Sequence, residues 1–192
     1  MAQATKFDGI HLIAGEAVLD FVNSVKFRGQ ESPGDRLGSF QDLCRWCLAA
    51  GILSEVEFNK VAGIESKNTL KDAYNLRETL RSFLDNPKDK ILCRNLIQLL
   101  SRANPKLFLS PKTGRLTYKV EINSSKDIVR RLEHKISDFL EDWQPRKTRS
   151  CSGDDCDWVF VDRTKSGRRQ WCDSRTCGNR ERVRRHRKDR SE

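Results

Sequence analysis

Four cysteines near the C-terminus, Cys151, Cys156, Cys172 and Cys177, follow the spacing C-x4-C-x15-C-x4-C. Two thiolate pairs with short internal spacers and one longer loop can wrap a tetrahedral zinc ion with Zn–S bonds of about 2.3 Å. Four sulfur ligands leave no open coordination position, so one such Zn²⁺ is structural. The competing use of these residues is a pair of disulfides, which requires an oxidising compartment. Residues Met1 to Phe21 hold no uninterrupted apolar run, being broken by Asp8, His11, Gly15, Glu16 and Asp20, so zinc and a cytoplasmic setting are expected. Between the ligands, Trp158 to Val161 reads as a short strand, Lys165-Ser166-Gly167 as a turn, and Arg168 to Trp171 as the returning strand that delivers Cys172. Cys177 belongs at or near a helix start, where the backbone N–H groups favour thiolate charge. Knuckle, hairpin and helix in this order suit a treble-clef-like module, with a zinc ribbon as the alternative.

Charge concentrates where the cysteines end. The chain carries a net +10; residues 146–192 hold 15 Lys and Arg against 8 Asp and Glu, whereas residues 1–145 hold 22 against 19. Arg180, Arg182, Arg184, Arg185, Arg187, Lys188 and Arg190 crowd eleven positions opposed only by Glu181 and Asp189. A polyanion partner follows from that distribution. On a helix, Arg180, Arg184, Arg187 and Lys188 share one side and suit guanine O6 and N7 or phosphates in a major groove, with Arg168 and Arg169 adding backbone contacts from the hairpin. A basic tail without fixed structure would bind any polyanion with no sequence preference.

The typed positions from Cys151 to Arg180 resemble the CGNR zinc finger: Phe160, Asp162, Arg168-Arg169, Trp171-Cys172 and Cys177-Gly178-Asn179-Arg180. Gly15 to Ser24 (GEAVLDFVNS) and Trp46 to Leu53 look like the opening of the ABATE domain that precedes this finger in bacterial proteins, so the resemblance covers most of the chain. Ser24 stands where that family usually has threonine, a change that keeps the hydroxyl. The resemblance implies a stress-induced transcriptional regulator with a DNA-binding finger and a sensory N-terminal domain.

Helix signals dominate residues 1–143. Glu16 to Phe27 sets Ala17, Val18, Phe21, Val22 and Val25 on one side. Ser39 with Asp42, Ser54 with Glu57, and Ser124 with Asp127 read as helix starts. Asn68 to Leu84 and Lys90 to Ala103 are separated by Asn86-Pro87. Leu107-Phe108-Leu109 and Leu116 to Val120 flank a turn-rich stretch, so a β-hairpin is expected. Gln144 to Thr148 reads as a linker. The expected architecture is mainly α: an N-terminal helical domain with a small β-hairpin over 1–143, then a small treble-clef-like zinc finger with a basic tail over 144–192.

Other reactive residues have plainer readings. Cys44 and Cys47 form C-x-x-C, yet no strand precedes them and apolar residues surround them, so two packed thiols on a helix are expected. No nucleophile–base constellation emerges, and an enzyme is not expected. Asp162 and Asp173 read as turn acceptors. Asp20 and Asn23 fall at i and i+3 near the border of an apolar face, where they either bond to neighbouring loops or line a pocket. With Trp46 and Arg77 they are the candidate residues for a small-molecule ligand in the sensory domain that the resemblance implies. The expected function is a zinc-finger regulator binding double-stranded DNA, with a homodimer as a further expectation because paired half-sites add specificity. No apolar stretch approaches the ~20 residues that span a bilayer, so no membrane partner is expected. The alternative is a zinc-scaffolded RNA-binding or protein-interaction module, in which Trp158, Phe160 and Trp171 would be exposed beside the arginines to stack bases.

Overall fold

The computed structural model describes residues 12–26, 34–109 and 114–190. Among them seven helices and three small antiparallel hairpins form, and no helix is long and apolar enough to cross a membrane. The chain divides into two compact units. One is Leu37–Trp143; the other joins Met1–Arg36 to Gln144–Glu192.

The 37–143 unit is helical. Helices α2 (Phe40–Ala49), α3 (Glu55–Val61), α4 (Lys67–Asp85), α5 (Lys90–Leu100) and α6 (Lys126–Glu141) make up this unit with an exposed hairpin of β3 (Lys106–Leu109) and β4 (Leu116–Lys119); α1 (Ala17–Val22) lies in the other unit. Helices α4, α5 and α6 pack on one another, and α2 packs on α3 and α4. Phe40, Leu43, Leu76, Leu80, Ile128, Leu132 and Ile136 fill the core. Helix starts are set by side chains that satisfy otherwise orphaned amides. Ser39 accepts from the Asp42 amide, Ser54 and Glu57 form a reciprocal capping box, and Asp89 accepts from the Ile91 and Leu92 amides. At α6 the roles are inverted relative to the expected cap. The Asp127 carboxylate accepts from the Asn123 and Ser124 amides and from the Ser124 hydroxyl. Cys44 and Cys47 are fully buried free thiols, and burial pushes Cys44 up to about 12 and Cys47 well above its ordinary value.

One polar group crosses this core. Arg131, 3 % exposed, donates from Nη1 to the Ile52 carbonyl at 2.9 Å, from Nε to the Val120 carbonyl at 2.7 Å, and from Nη2 to Glu57 Oε1 at 2.9 Å. A buried guanidinium is tolerable here because two carbonyls and a carboxylate replace the water it loses. Burial pushes the Glu57 carboxyl upward, but hydrogen bonds from Lys119, Ser54 and Arg131 outweigh it and hold the group down at about 2.

The other unit contains α1, a short hairpin of β1 (Val25–Lys26) and β2 (Gly34–Asp35), a second hairpin of β5 (Thr148–Ser150) and β6 (Val159–Val161), and α7 (Cys177–Asp189). The first helix is shorter than the periodicity predicts. It ends at Val22 because Asn23 and Ser24 are engaged elsewhere: the Ser24 hydroxyl donates to the Phe21 carbonyl at 2.7 Å, and the chain enters β1. Phe27, the last residue of that expected helix, lies outside the described residues, as does His11.

A carboxyl held below its unfolded value stabilises the fold above that value and loses the contribution as it protonates. Acid unfolding is therefore expected to gain part of its steepness from Glu57 as pH falls from the ordinary glutamate range toward about 2. Glu57→Gln should unfold at lower urea concentration than the native chain at pH 7, with the difference shrinking toward pH 2 in a series of denaturant titrations.

Candidate metal centre and the basic helix it starts

The β5–β6 hairpin carries Cys151 at one end, with the Cys151 amide donating to the Trp158 carbonyl at 2.8 Å. A tight turn follows, closed by the Cys156 amide on the Gly153 carbonyl at 3.0 Å. The partner of β6 is the upstream strand β5, in register Thr148↔Val161, Arg149↔Phe160 and Ser150↔Val159. The expected returning strand over Arg168 to Trp171 does not form, and Thr148, read as linker, belongs to the finger's sheet. Asp162 explains the difference. Its Oδ1 accepts from the Thr164 amide and hydroxyl and its Oδ2 from the Arg169 amide at 2.9 Å, folding residues 162–169 into a bonded loop. Asp173 likewise accepts from the Arg175 amide at 2.9 Å, so both aspartates are turn acceptors.

All four sulfurs converge. One ligand atom from each of Cys151, Cys156, Cys172 and Cys177 lies within 4.8 Å of the others, and the Cys156–Cys172 and Cys172–Cys177 sulfur separations are 3.7 and 3.6 Å. Sulfurs bound tetrahedrally at about 2.3 Å from one ion stand about 3.8 Å apart, so the cluster has the size of a metal site and not of a disulfide. Hydrogen bonds from the Cys156 and Cys172 thiols pull Cys151 down to about 2, while that thiolate pushes Cys156 up to about 12 and Cys172 far above the usual thiol range. Gathering four thiolates at this spacing requires the charge of a bound dication.

Helix α7 begins at Cys177 itself. Its second residue, Gly178, sits against the Trp171 indole, where an added Cβ would come 2.4 Å from Cδ1. The glycine is needed for close approach, and the ring braces the helix against the sulfur cluster.

The finger does not close by itself. Asn23, on the residue that ends α1, donates from Nδ2 to the Val159 carbonyl at 2.8 Å and accepts the Val159 amide at Oδ1 at 2.9 Å. It therefore bonds β6 as a neighbouring strand would. The Val161 amide reaches the Ala14 carbonyl at 2.8 Å, and Asp20 Oδ1 holds that loop by accepting the Ile13 and Ala14 amides at 3.0 Å each. Burial raises the Asp20 carboxyl to about 7 despite those two bonds from Ala14 and Ile13. Gly15, at φ +85°, turns the chain from that loop into α1, and Glu16 pairs with Arg163. The described bonds thus engage the side chains of both Asp20 and Asn23. Trp46 and Arg77 are buried in the helical unit, where Arg77 pairs with Glu78 at 3.2 Å and lies over the Tyr74 ring.

The cations divide by surroundings. Arg169 is built into the finger: its guanidinium lies 4.2 Å from the Phe160 ring centroid and donates to the carbonyls of Trp171, Cys172, Ile13 and Val161. Arg168 is exposed. On α7, Arg184 pairs with Asp154 and Glu181, and Arg185 with Glu181 at 3.4 Å, so Glu181 binds one flank of the helix. Arg182 donates to the Ser174 carbonyl at 3.2 Å while remaining on an open face with Asn179, Val183, His186, Arg187 and Arg190. Arg180 and Lys188 are exposed. Phe160 is fully buried, Trp158 is half-buried under the Arg36 guanidinium at 4.8 Å, and Trp171 is half-buried beneath Gly178.

Comparison with known families agrees with this anatomy. Residues 15–127 match the ABATE family model, described as "Putative stress-induced transcription regulator", and residues 147–190 match the CGNR zinc finger. Both are regulatory or zinc-finger families and neither is catalytic. A search of curated proteins finds no match to the chain.

Two substitutions test the construction. Gly178→Ala forces the helix start off Trp171 and should cost about 1–3 kcal/mol, with faster loss of bound metal to a chelator followed by a colorimetric dye. Asn23→Ala leaves the buried Val159 amide and carbonyl without their partner and should lower unfolding free energy by about 2–4 kcal/mol, read from chemical denaturation monitored at the finger's tryptophans.

Proposed function

Since the chain belongs to the ABATE family and ends in a CGNR zinc finger, we propose that it is a zinc-dependent regulator that grips double-stranded DNA through α7. The observation that carries this reading is that the basic helix starts on a metal ligand. A cysteine bound to Zn²⁺ at the first helical position would fix the axis of a rod that carries Arg180, Arg182, Arg184, Arg185, Arg187 and Lys188. Such a rod has the diameter that a major groove admits.

The residues divide into roles. Arg180, Arg182 and Arg187 contact base edges or phosphates from the helix, and Lys188 and Arg168 contact phosphates from its end and from the loop beside it. Arg184 and Arg185, shared with Glu181 and Asp154, contribute by exchanging these pairs for phosphates at a cost in affinity. Arg169 acts through the finger's fold. The residues 37–143 supply the sensory part, and the signal acts on the finger through its presentation to DNA. The aromatic side chains favour DNA over the single-stranded RNA reading, because none of Trp158, Phe160 and Trp171 is exposed as a stacking platform.

Selection of genomic fragments by the zinc-loaded chain at physiological salt should enrich one duplex motif, and a Cys172→Ser, Cys177→Ser double variant should enrich none. Affinity for the selected duplex is expected to fall with salt at a log–log slope of about −4 to −5 if about five phosphates are neutralised. Replacing Arg182 and Arg187 by Ala should weaken it at least tenfold, about 1.4 kcal/mol or more. Equal retention of duplex and single strands by the native and double-variant chains would overturn the reading.

A further inference from the structure

Helix α7 carries its charge unevenly around its axis. At about 3.6 residues per turn, Asn179, Val183 and His186 fall within an arc of about 60°, with Arg182 about 40° beyond one margin of that arc and Arg187 about 40° beyond the other. These five residues and Arg190 make up the open face of the helix. On the other side Glu181 pairs with Arg184 and Arg185, and Asp154 pairs with Arg184, so charge there is partly neutralised within the chain. The midline of the open face is thus an amide, an aliphatic side chain and an imidazole between two cationic margins. Neither of the first two is buried in the fold. Val183 is the one large apolar side chain of α7 and is 42 % exposed. Asn179 is exposed as well, and among the described residues no hydrogen bond engages its side chain. Attraction to phosphate gains nothing from an amide or a valine, whereas both are side chains that can read base edges in a major groove.

We propose that Asn179 and Val183 set the sequence preference of α7. The Asn179 amide donates from Nδ2 to N7 of an adenine and accepts that base's N6 amino proton at Oδ1, and Val183 packs on the C5-methyl group of a thymine. Four residues of helix span about 6 Å, so the two side chains reach base pairs one or two steps apart. Arg182 and Arg187, on opposite margins, hold phosphates on either side of the groove and position the two readers without choosing a sequence. The place of Asn179 in the helix supports its part. A two-bond amide contact tolerates displacements of only about 0.5 Å, and Asn179 directly follows Cys177 of the sulfur cluster and Gly178, which lies against the Trp171 ring. On the Arg182 margin Asp189 stands two turns further on, so that margin is cationic only near the helix start, where Asn179 and Val183 lie. The assignment rests on the duplex-binding reading above and adds which base pairs are chosen and by which side chains.

Fragment selection with the zinc-loaded full chain, run beside Asn179→Ala and Val183→Ser, tests this. The native motif should hold an adenine and a thymine contact one or two steps apart; Asn179→Ala should lose the preference at the first alone and Val183→Ser at the second alone. In the selected duplex, 7-deazaadenine removes the N7 acceptor and uracil removes the C5-methyl group. The first should weaken native binding about tenfold and the second about threefold. Asn179→Ala should be indifferent to the deaza base, and Val183→Ser to uracil. Both positions are exposed, so bound zinc and the thermal midpoint should match the native chain. Arg182→Ala should weaken all duplexes alike and keep both preferences. Variants that retain the native preferences, modified bases that weaken native and variant chains equally, or an Arg182→Ala chain that loses the preferences instead would overturn the assignment and leave duplex binding standing. A native chain that enriches no motif would overturn both.

Discussion

Four sulfur atoms within 4.8 Å of one another cannot all be thiolates unless a dication lies among them. Most of the 144–190 segment is arranged around that constraint. The β5–β6 hairpin and its turn bring in Cys151 and Cys156, the loop folded on Asp162 and Asp173 brings in Cys172, and α7 starts on Cys177. The small aromatic core, Phe160 below Arg169 and Trp171 below Gly178, is too slight to hold these pieces alone. A group that bound all four sulfurs would tie these pieces together, and with them the start of the cationic helix α7.

The sheet of the finger is extended by side chains and loops from the other end of the chain. Asn23 serves β6 with one donor and one acceptor, Ala14 accepts from Val161, and Arg169 returns a bond to Ile13. The family match over 15–127 and the compact units therefore cut the chain differently, because α1 lies in the first match and packs on β6. A segment recognised as the opening of one domain is physically part of another.

Much of this was legible in sequence where a residue's role is local. The cysteine spacing pointed to the sulfur cluster, Ser54 with Glu57 to a capping box, and Leu107 to Val120 to a hairpin, since each depends on neighbours a few positions away. Asp162 and Asp173 as turn acceptors belong to the same class. The end of α1 at Val22 was not legible, because the helical stripe continues through Val25 and only a bond to Val159 explains why Asn23 leaves it. Nor was the pairing of β6 with Thr148–Ser150: Thr148 closes a polar stretch from Gln144 that reads as linker until the backbone partners are known. Arg131 drew no attention since a lone arginine in an amphipathic helix ordinarily snorkels to solvent, and its burial depends on carbonyls 11 and 79 positions away. Arg169 carried the composition of a phosphate contact and the environment of a core residue.

The bond from Asn23 to Val159 spans 136 positions, and the entire helical unit lies between its two ends. During synthesis at about 5–20 residues per second, α1 emerges with its apolar face and its amide for some seconds to tens of seconds before β6 exists. Residues 37–143 are complete in that interval and can fold first, which shortens the effective loop that the two outer segments must close. Assembly of the finger therefore waits until residues 37–143 have emerged, and a truncated product that lacks β6 leaves the buried face of α1 open, a surface by which quality control can tell unfinished chains from finished ones.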